Sequence, residues 1–301
     1  MTPQRVCHNL PVSKPIVLER SSWQELAQGH AARVAPIAAN VRKRHRDSTR
    51  HPVDDFMWDY YTLRPSRLER WHPGFGVWLS DAPEYLNQRG YETVDGVTKV
   101  ASKFVEDRSE SFKWTLKLLK ETSDREPRFQ CFGFHEWAML YKLEPNEVRH
   151  EQLPLRLTVK EIADVVEAQE LKCTHFDAFR FFVPGARSLN HMILTREGQP
   201  ENEQSGCLHA NMDIYKWAYK SLPLVSSDLL FKTFELAREI RQLDMQATPY
   251  DLSQWGYEPV KTETAEGKIE YVRRQKDFQV RGQMLRSELI QQIENALKVI
   301  I

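Results

Sequence analysis

The spacing of apolar and polar positions along this chain marks helices more often than strands. A helix of about 20 residues is expected from Ser22, which stands three residues before Glu25 in the spacing of a capping box; Pro36 is expected to bend or interrupt it. Residues 52–80 are aromatic and turn-rich, and Trp71-His72-Pro73-Gly74-Phe75-Gly76 reads as a loop, because two glycines and a proline exclude regular structure. A hairpin is expected over 89–100, turning at Asp95-Gly96. Residues 102–121 carry Phe104, Val105, Phe112, Leu116 and Leu119 near helical spacing. A second capping box, Thr158 with Glu161, opens a short helix with Ile162, Val165 and Val166 on one face. The Phe-rich run 171–183, closed by Pro184-Gly185, reads as a strand. Helices then follow at 206–221, from Ser226 or Ser227 to residue 246, and over 270–299; the second of these has Leu230, Phe234, Ala237 and Ile240 on its inner stripe.

No internal repeat and no long Gly/Ser linker divides the chain. The pattern therefore predicts an α+β fold that is predominantly α-helical. It consists of an extended N-terminal arm over 1–20 and a single globular, helix-rich, catalytic-type domain over 21–301 with a few short strands. At 301 residues, roughly three quarters of the unfolded surface can be buried, so the core needs no disulfides. Eight tryptophans exceed what packing alone requires, and some can line a cleft.

Charge changes the picture locally. The 42 basic and 42 acidic side chains cancel, whereas nonspecific nucleic-acid binders carry a basic excess. One cluster stands out, Arg42-Lys43-Arg44-His45-Arg46. It reads either as a solvated helix end that complements the dipole or as a phosphate-facing patch. The four cysteines form no CxxC pair, the apolar run near residue 16 is too short for a signal-peptide core, and no stretch is long enough to cross a bilayer. A cytoplasmic location with reduced thiols and no membrane partner is expected.

Three segments combine cysteine, histidine and carboxylate: Cys131-Phe132-Gly133-Phe134-His135-Glu136-Trp137, Cys173-Thr174-His175-Phe176-Asp177 and Cys207-Leu208-His209-Ala210-Asn211-Met212-Asp213. On a strand, His175 and Asp177 project from one face; on a helix, His209 and Asp213 are facing neighbours. Each pair suits metal chelation or an imidazole oriented by a carboxylate. His135 and Glu136 are adjacent and suit one ligand and one acid/base. Buried hydrogen-bonded histidines inside an ordinary core would leave the same sequence. In the metal reading, His135, His175 and His209 with Glu136, Asp177 and Asp213 hold a divalent ion, and the protein is a hydrolase or a non-haem iron oxygenase acting on a small molecule. A noncatalytic binding protein is the third alternative. Dinucleotide, Walker, kinase, GxSxG and zinc-deaminase motifs are absent.

Several blocks carry a resemblance. They are His51-Pro52-Val53-Asp54-Asp55-Phe56, Arg70-Trp71-His72-Pro73-Gly74-Phe75-Gly76, Phe134-His135-Glu136-Trp137-Ala138-Met139, Cys173 to Phe182, Cys207 to Lys220, and Pro249-Tyr250-Asp251-Leu252 with Gly256-Tyr257-Glu258-Pro259-Val260. Together they resemble a bacterial family catalogued in genomes as 3-methyladenine DNA glycosylase, and the match covers nearly all of the chain beyond the N-terminal arm. The resemblance implies hydrolysis of the N-glycosidic bond of an alkylated purine in DNA, with no cofactor required. By residue type, Glu136, Asp177 or Asp213 is then the catalytic carboxylate, while Trp137, Phe176, Trp217 and Lys216 contact the flipped base. Arg42, Lys43, Arg44 and Arg46 would face the DNA backbone.

Overall fold

The structure, a computed structural model, describes residues 15–143 and 153–299. Helix dominates at 56%, beside one small four-stranded sheet, so the α+β, mainly helical expectation holds, and the whole is one compact domain. Residues 1–14 of the expected N-terminal arm, Cys7 among them, lie outside the described residues.

The sheet is built from β1 (Ile16–Leu18), β2 (Val77–Ser80), β3 (Tyr91–Val94) and β4 (Val97–Val100), in the order β1-β2-β4-β3. β1 runs parallel to β2, and the other pairs are antiparallel. The β3–β4 hairpin turns where expected, with Asp95 and Gly96 both at positive φ, 51° and 78°. The end of the expected arm is thus an edge strand, and β2 was not legible as a strand in its aromatic surroundings.

The first helix spans Arg20–Arg46. Its N-cap is Glu19, without a side-chain cap, so Ser22 and Glu25 lie inside the helix and form no capping box. Pro36 does not interrupt it: Pro36 is exposed, and buried Val34, Ala38 and Val41 keep the helix docked on either side. The Thr158 box forms in full at the start of the Val159–Glu167 helix. The expected 102–121 helix is two helices, Ser102–Asp107 and Ser109–Asp124, broken at Arg108.

The largest correction concerns 171–183, which is not a strand. Leu171 makes one isolated bridge to Asn190, and Phe176–Phe179 is a helical turn with His175 as its N-cap. The Asn190 side chain accepts from Cys173 N at 2.8 Å and donates to Cys173 O at 3.1 Å. It thereby takes up the backbone groups that a neighbouring strand would have used. Phe179 and Phe182, three residues apart, pack into the same core.

Two long helices, Ser227–Gln246 and Ala265–Leu297, form the spine, each started by a hydroxyl cap, Ser226 and Thr264. Against them lie Leu208–Met212 and Ile214–Lys220, two short helices where one was expected, joined at Asp213. The close approach is visible at Gly282, where an added Cβ would stand 2.4 Å from Asn211 Oδ1. Fully buried Arg286 fastens the same contact, donating to Asn211 Oδ1 at 2.7 Å and to Ala210 O. One apolar core surrounds Phe112, Tyr215, Phe234 and Ile293; a second surrounds Phe134, Trp137, Ile162 and Met245. The Ser227–Gln246 helix contributes to both cores, and its C-terminal turns carry Arg241 and Asp244 to the junction between them. No helix among the described residues is long and apolar enough to cross a membrane.

Candidate metal centre

The three histidine segments meet at that junction. The His135 and His209 rings lie 4.2 Å apart, edge to face, and the His175 and His209 rings stack at 5.7 Å. His135 is on the Phe134–Met139 helix, whose N-cap Gly133 takes a left-handed φ of 73°. His209 is on the helix fastened by Arg286, and His175 stands at the start of the Phe176–Phe179 turn.

The fourth participant is Asp244, fully buried. Its Oδ1 lies 3.6 Å from His135 Nδ1 and 3.6 Å from His209 Nε2. These contacts are too long for hydrogen bonds, and both Asp244 Oδ1 and His135 Nδ1 are buried without a hydrogen-bond partner. Two ligands each about 2.1 Å from one ion at the tetrahedral angle stand about 3.4 Å apart, so the spacing suits donors around a shared cation. The other carboxylate oxygen is held by Arg241, whose NH1 donates to Asp244 Oδ2 at 2.6 Å and to Glu136 Oε1 at 3.3 Å. That hydrogen bond fixes the carboxylate and turns Oδ1 towards the imidazoles.

The electrostatics agree with this geometry. Burial, together with the neighbouring rings and Arg241, pushes His209 well below its ordinary value, so it is a neutral donor at physiological pH. Burial also acts to lower His135, but the Asp244 and Glu136 carboxylates outweigh it and raise the ring. Burial pushes Asp244 up against the pull of His135 and Arg241; its ionised form gains from any further positive charge.

A second set, His175, Asp177 and Asp213, brings one ligand atom each within 4.8 Å of one another, as do His135, His209 and Asp244. Here the carboxylates are already engaged. Lys216 Nζ donates at 2.7 Å to both Asp177 Oδ2 and Asp213 Oδ2; Arg196 reaches Asp177 Oδ1 at 2.9 Å, and the Tyr61 hydroxyl donates to Asp213 Oδ1 at 3.0 Å. Desolvation acts to raise Asp177, yet Lys216 dominates and holds it at about 2. Burial alone would lower Lys216, but Asp213 and Asp177 raise it well above its usual value.

His135 and His209 of the first set and all three residues of the second line one cavity of about 950 Å³, walled also by Phe56, Tyr60, Met139, Phe181 and Trp255, with Arg50 and His51 on its lining; Asp244 is not on that lining. No cysteine among the described residues lines it. Cys131, Cys173 and Cys207 instead line a separate cavity of about 20 Å³ that shares His135 and His209, room for about one water. Burial pushes all three thiols up, Cys173 to about 12, so they are neutral packing groups backing the imidazoles.

The structure thus brings together His135, Glu136, His175, Asp177, His209 and Asp213, all on the cavity. The sequence pairings are crossed, however: His209 faces Asp244, while Asp213 faces His175, with Nε2 to Oδ2 at 3.5 Å. The expected stacking residues do not line the cavity. Trp137 is fully buried and its indole donates to Ala247 O; Trp217 packs on Trp114 beneath Lys216 and Lys220; Phe176 sits under Arg196. Lys216 is committed to the two aspartates. The basic cluster is largely neutralised by the protein's own acids. Arg42 pairs with Glu69, Arg44 with Asp55 and Arg46 with Asp47, while Lys43 is exposed.

Asp244, Arg241 and Glu203 were missed as site residues. A signal existed for the first two: Leu230, Phe234, Ala237, Arg241 and Asp244 continue one 4-3-4-3 stripe, so two charged residues occupy inner-face positions of an apolar helix. No family model, no curated protein and no solved structure matches the chain.

Proposed function

We propose that this protein is a metal-dependent enzyme acting on a small organic molecule, with one divalent ion held by His135 Nδ1, His209 Nε2 and Asp244 Oδ1. The observation that carries this reading is the orphaned Asp244 oxygen, buried and equidistant from two imidazole nitrogens. Two histidines and one carboxylate leave coordination positions open on the cavity side. That donor set matches iron(II) in oxygenases and also zinc in hydrolases. Bound there, the ion supplies Lewis acidity and, if iron, redox chemistry. Glu136, held by Arg241, and Asp213, held by Lys216 and Tyr61, are the carboxylates beside it that can hold or move a proton.

Elemental analysis of protein prepared without a histidine tag tests the reading. One iron or zinc per chain is expected in the wild type, and none in His135→Ala or Asp244→Asn. Iron would assign oxygenase chemistry and zinc hydrolase chemistry; a metal-free wild type that also fails to take up added ion would refute the proposal.

Excision of an alkylated purine, which the resemblance implies, is the second reading. What favours it is a cavity lined by both aromatic rings and carboxylates. Release of base from methylated duplex DNA by metal-stripped protein is the outcome it requires.

A further inference from the structure

A single ion at His135, His209 and Asp244 gives no role to His175, Asp177 and Lys216, which are gathered with Asp213. His175, Asp177 and Asp213 are 1%, 4% and 1% exposed, so their polar atoms cannot turn to solvent. His175 Nδ1 lies 2.8 Å from Glu203 Oε1, but out of line for a hydrogen bond, so this buried nitrogen has no hydrogen-bond partner. The ring's Nε2 faces Asp213 Oδ2 at 3.5 Å, a spacing close to that of His209 and Asp244 in the first set. An imidazole with a buried, unpartnered nitrogen, gathered with two carboxylates within 4.8 Å, has the composition of a ligand set. Where an ion would sit, however, the Lys216 ammonium stands 2.7 Å from one oxygen of each aspartate. Lys216 rises from the helix that follows the one carrying His209, and Asp213 joins the two.

We infer that His175, Asp177 and Asp213 form a second cation position whose occupant is the protein's own Lys216, which restricts the centre to a single exchangeable metal ion. The inference rests on the reading of His135, His209 and Asp244 as the first position. An ammonium and a divalent ion cannot share two carboxylate oxygens, because the like charges would lie within bonding distance of the same atoms. The lysine therefore substitutes a fixed positive charge, bearing protons, for a second Lewis acid of the kind that paired-ion enzymes place about 3.5–4 Å from the first. Asp177 and Asp213 line the cavity, and Lys216 holds them from behind that lining, so the cavity keeps one ion position.

Metal stoichiometry with manganese(II) as the probe tests this independently of activity. Wild type and Lys216→Met are loaded with excess Mn(II), desalted and analysed for metal, with circular dichroism to verify folding; Lys216→Gln is the alternative should the Met variant not fold. The expected result is one ion per chain in the wild type and two in the variant, the second lost again in Lys216→Met/Asp213→Asn. Spin-coupled manganese should be visible by electron paramagnetic resonance only in the two-ion form. A folded variant that still holds one ion, or a wild type that holds two, overturns the inference. Failure of the first position reads differently: the wild type binds none, while Lys216→Met binds one ion that survives Asp244→Asn.

Discussion

At the scale of single residues, the centre depends on an aspartate that has no neighbour in sequence to announce it. Asp244 is oriented through Arg241, and Arg241 in turn stacks on Phe56 at 4.0 Å and is shared with Glu136. Replacing Arg241 with Met should leave the ligands in place but free the carboxylate to rotate, lowering metal affinity by roughly 10–100-fold, the usual effect of losing a partner that orients a ligand. Competition with a chromophoric chelator reads that change, and an unchanged affinity would show that Arg241 does not hold Asp244. Glu203→Gln is the matching control. Its side chain meets His175 and accepts from Gln199 Nε2 at 2.5 Å but reaches none of the three ligands, so affinity at the His135, His209 and Asp244 position should stay within about threefold, well below the effect expected of a residue that orients a ligand. The three histidines were legible because each stands in a short apolar segment beside a carboxylate. Which carboxylate meets which ring was not legible, since the pairing is made by helices that are distant in sequence.

At the scale of elements, the site is as rigid as the contact between the Leu208–Met212 and Ala265–Leu297 helices. Arg286 spans that contact with its guanidinium buried, and burial lowers it to about 10 even though Glu203 and Cys207 pull the other way. Arg286→Met would leave Asn211 Oδ1 and Ala210 O without a donor, at a cost of about 1–3 kcal/mol for each buried acceptor left unmet. Denaturant unfolding should show that destabilisation, and metal affinity should fall with it because His209 rides on the same helix. A stable variant with normal affinity would separate the helix contact from the site. The element-level reading of the sequence succeeded wherever local signals decide. Thr158 caps its helix, Ser226 starts the next, and Asp95-Gly96 turns the hairpin. It failed at 171–183, where β-prone phenylalanines outvoted a side chain, Asn190, that closes the backbone from a distance. It failed again at Ser22, where a good capping box lies inside a helix that starts earlier, at Arg20, whose guanidinium meets Glu84 at 2.6 Å and Asp81.

At the scale of the molecule, zero net charge becomes informative once the pairs are known. The basic cluster at 42–46 is spent on Glu69, Asp55 and Asp47, so the chain presents little unmatched positive charge there. If Arg42, Lys43 and Arg46 touched phosphates, replacing all three with Ala would reduce the salt slope of duplex binding by about 1 for each phosphate no longer neutralised. No change in slope is expected, and fluorescence anisotropy across a salt series would detect one. Ion binding should also register globally. At a free ion concentration about 100 times Kd, a ligand taken up only by the folded state adds about 2.7 kcal/mol of stability, which raises Tm by several degrees. The same titration should leave Asp244→Asn unmoved. An equal rise in the variant would locate the ion elsewhere.

The most direct test of the central claim is anomalous diffraction from crystals of the wild-type protein loaded anaerobically with iron(II). The account predicts one strong peak about 2.0–2.2 Å from His135 Nδ1, His209 Nε2 and Asp244 Oδ1. It also predicts an undisturbed Lys216 between Asp177 and Asp213. No peak at that point, or a peak between the two aspartates with the lysine displaced, would contradict it.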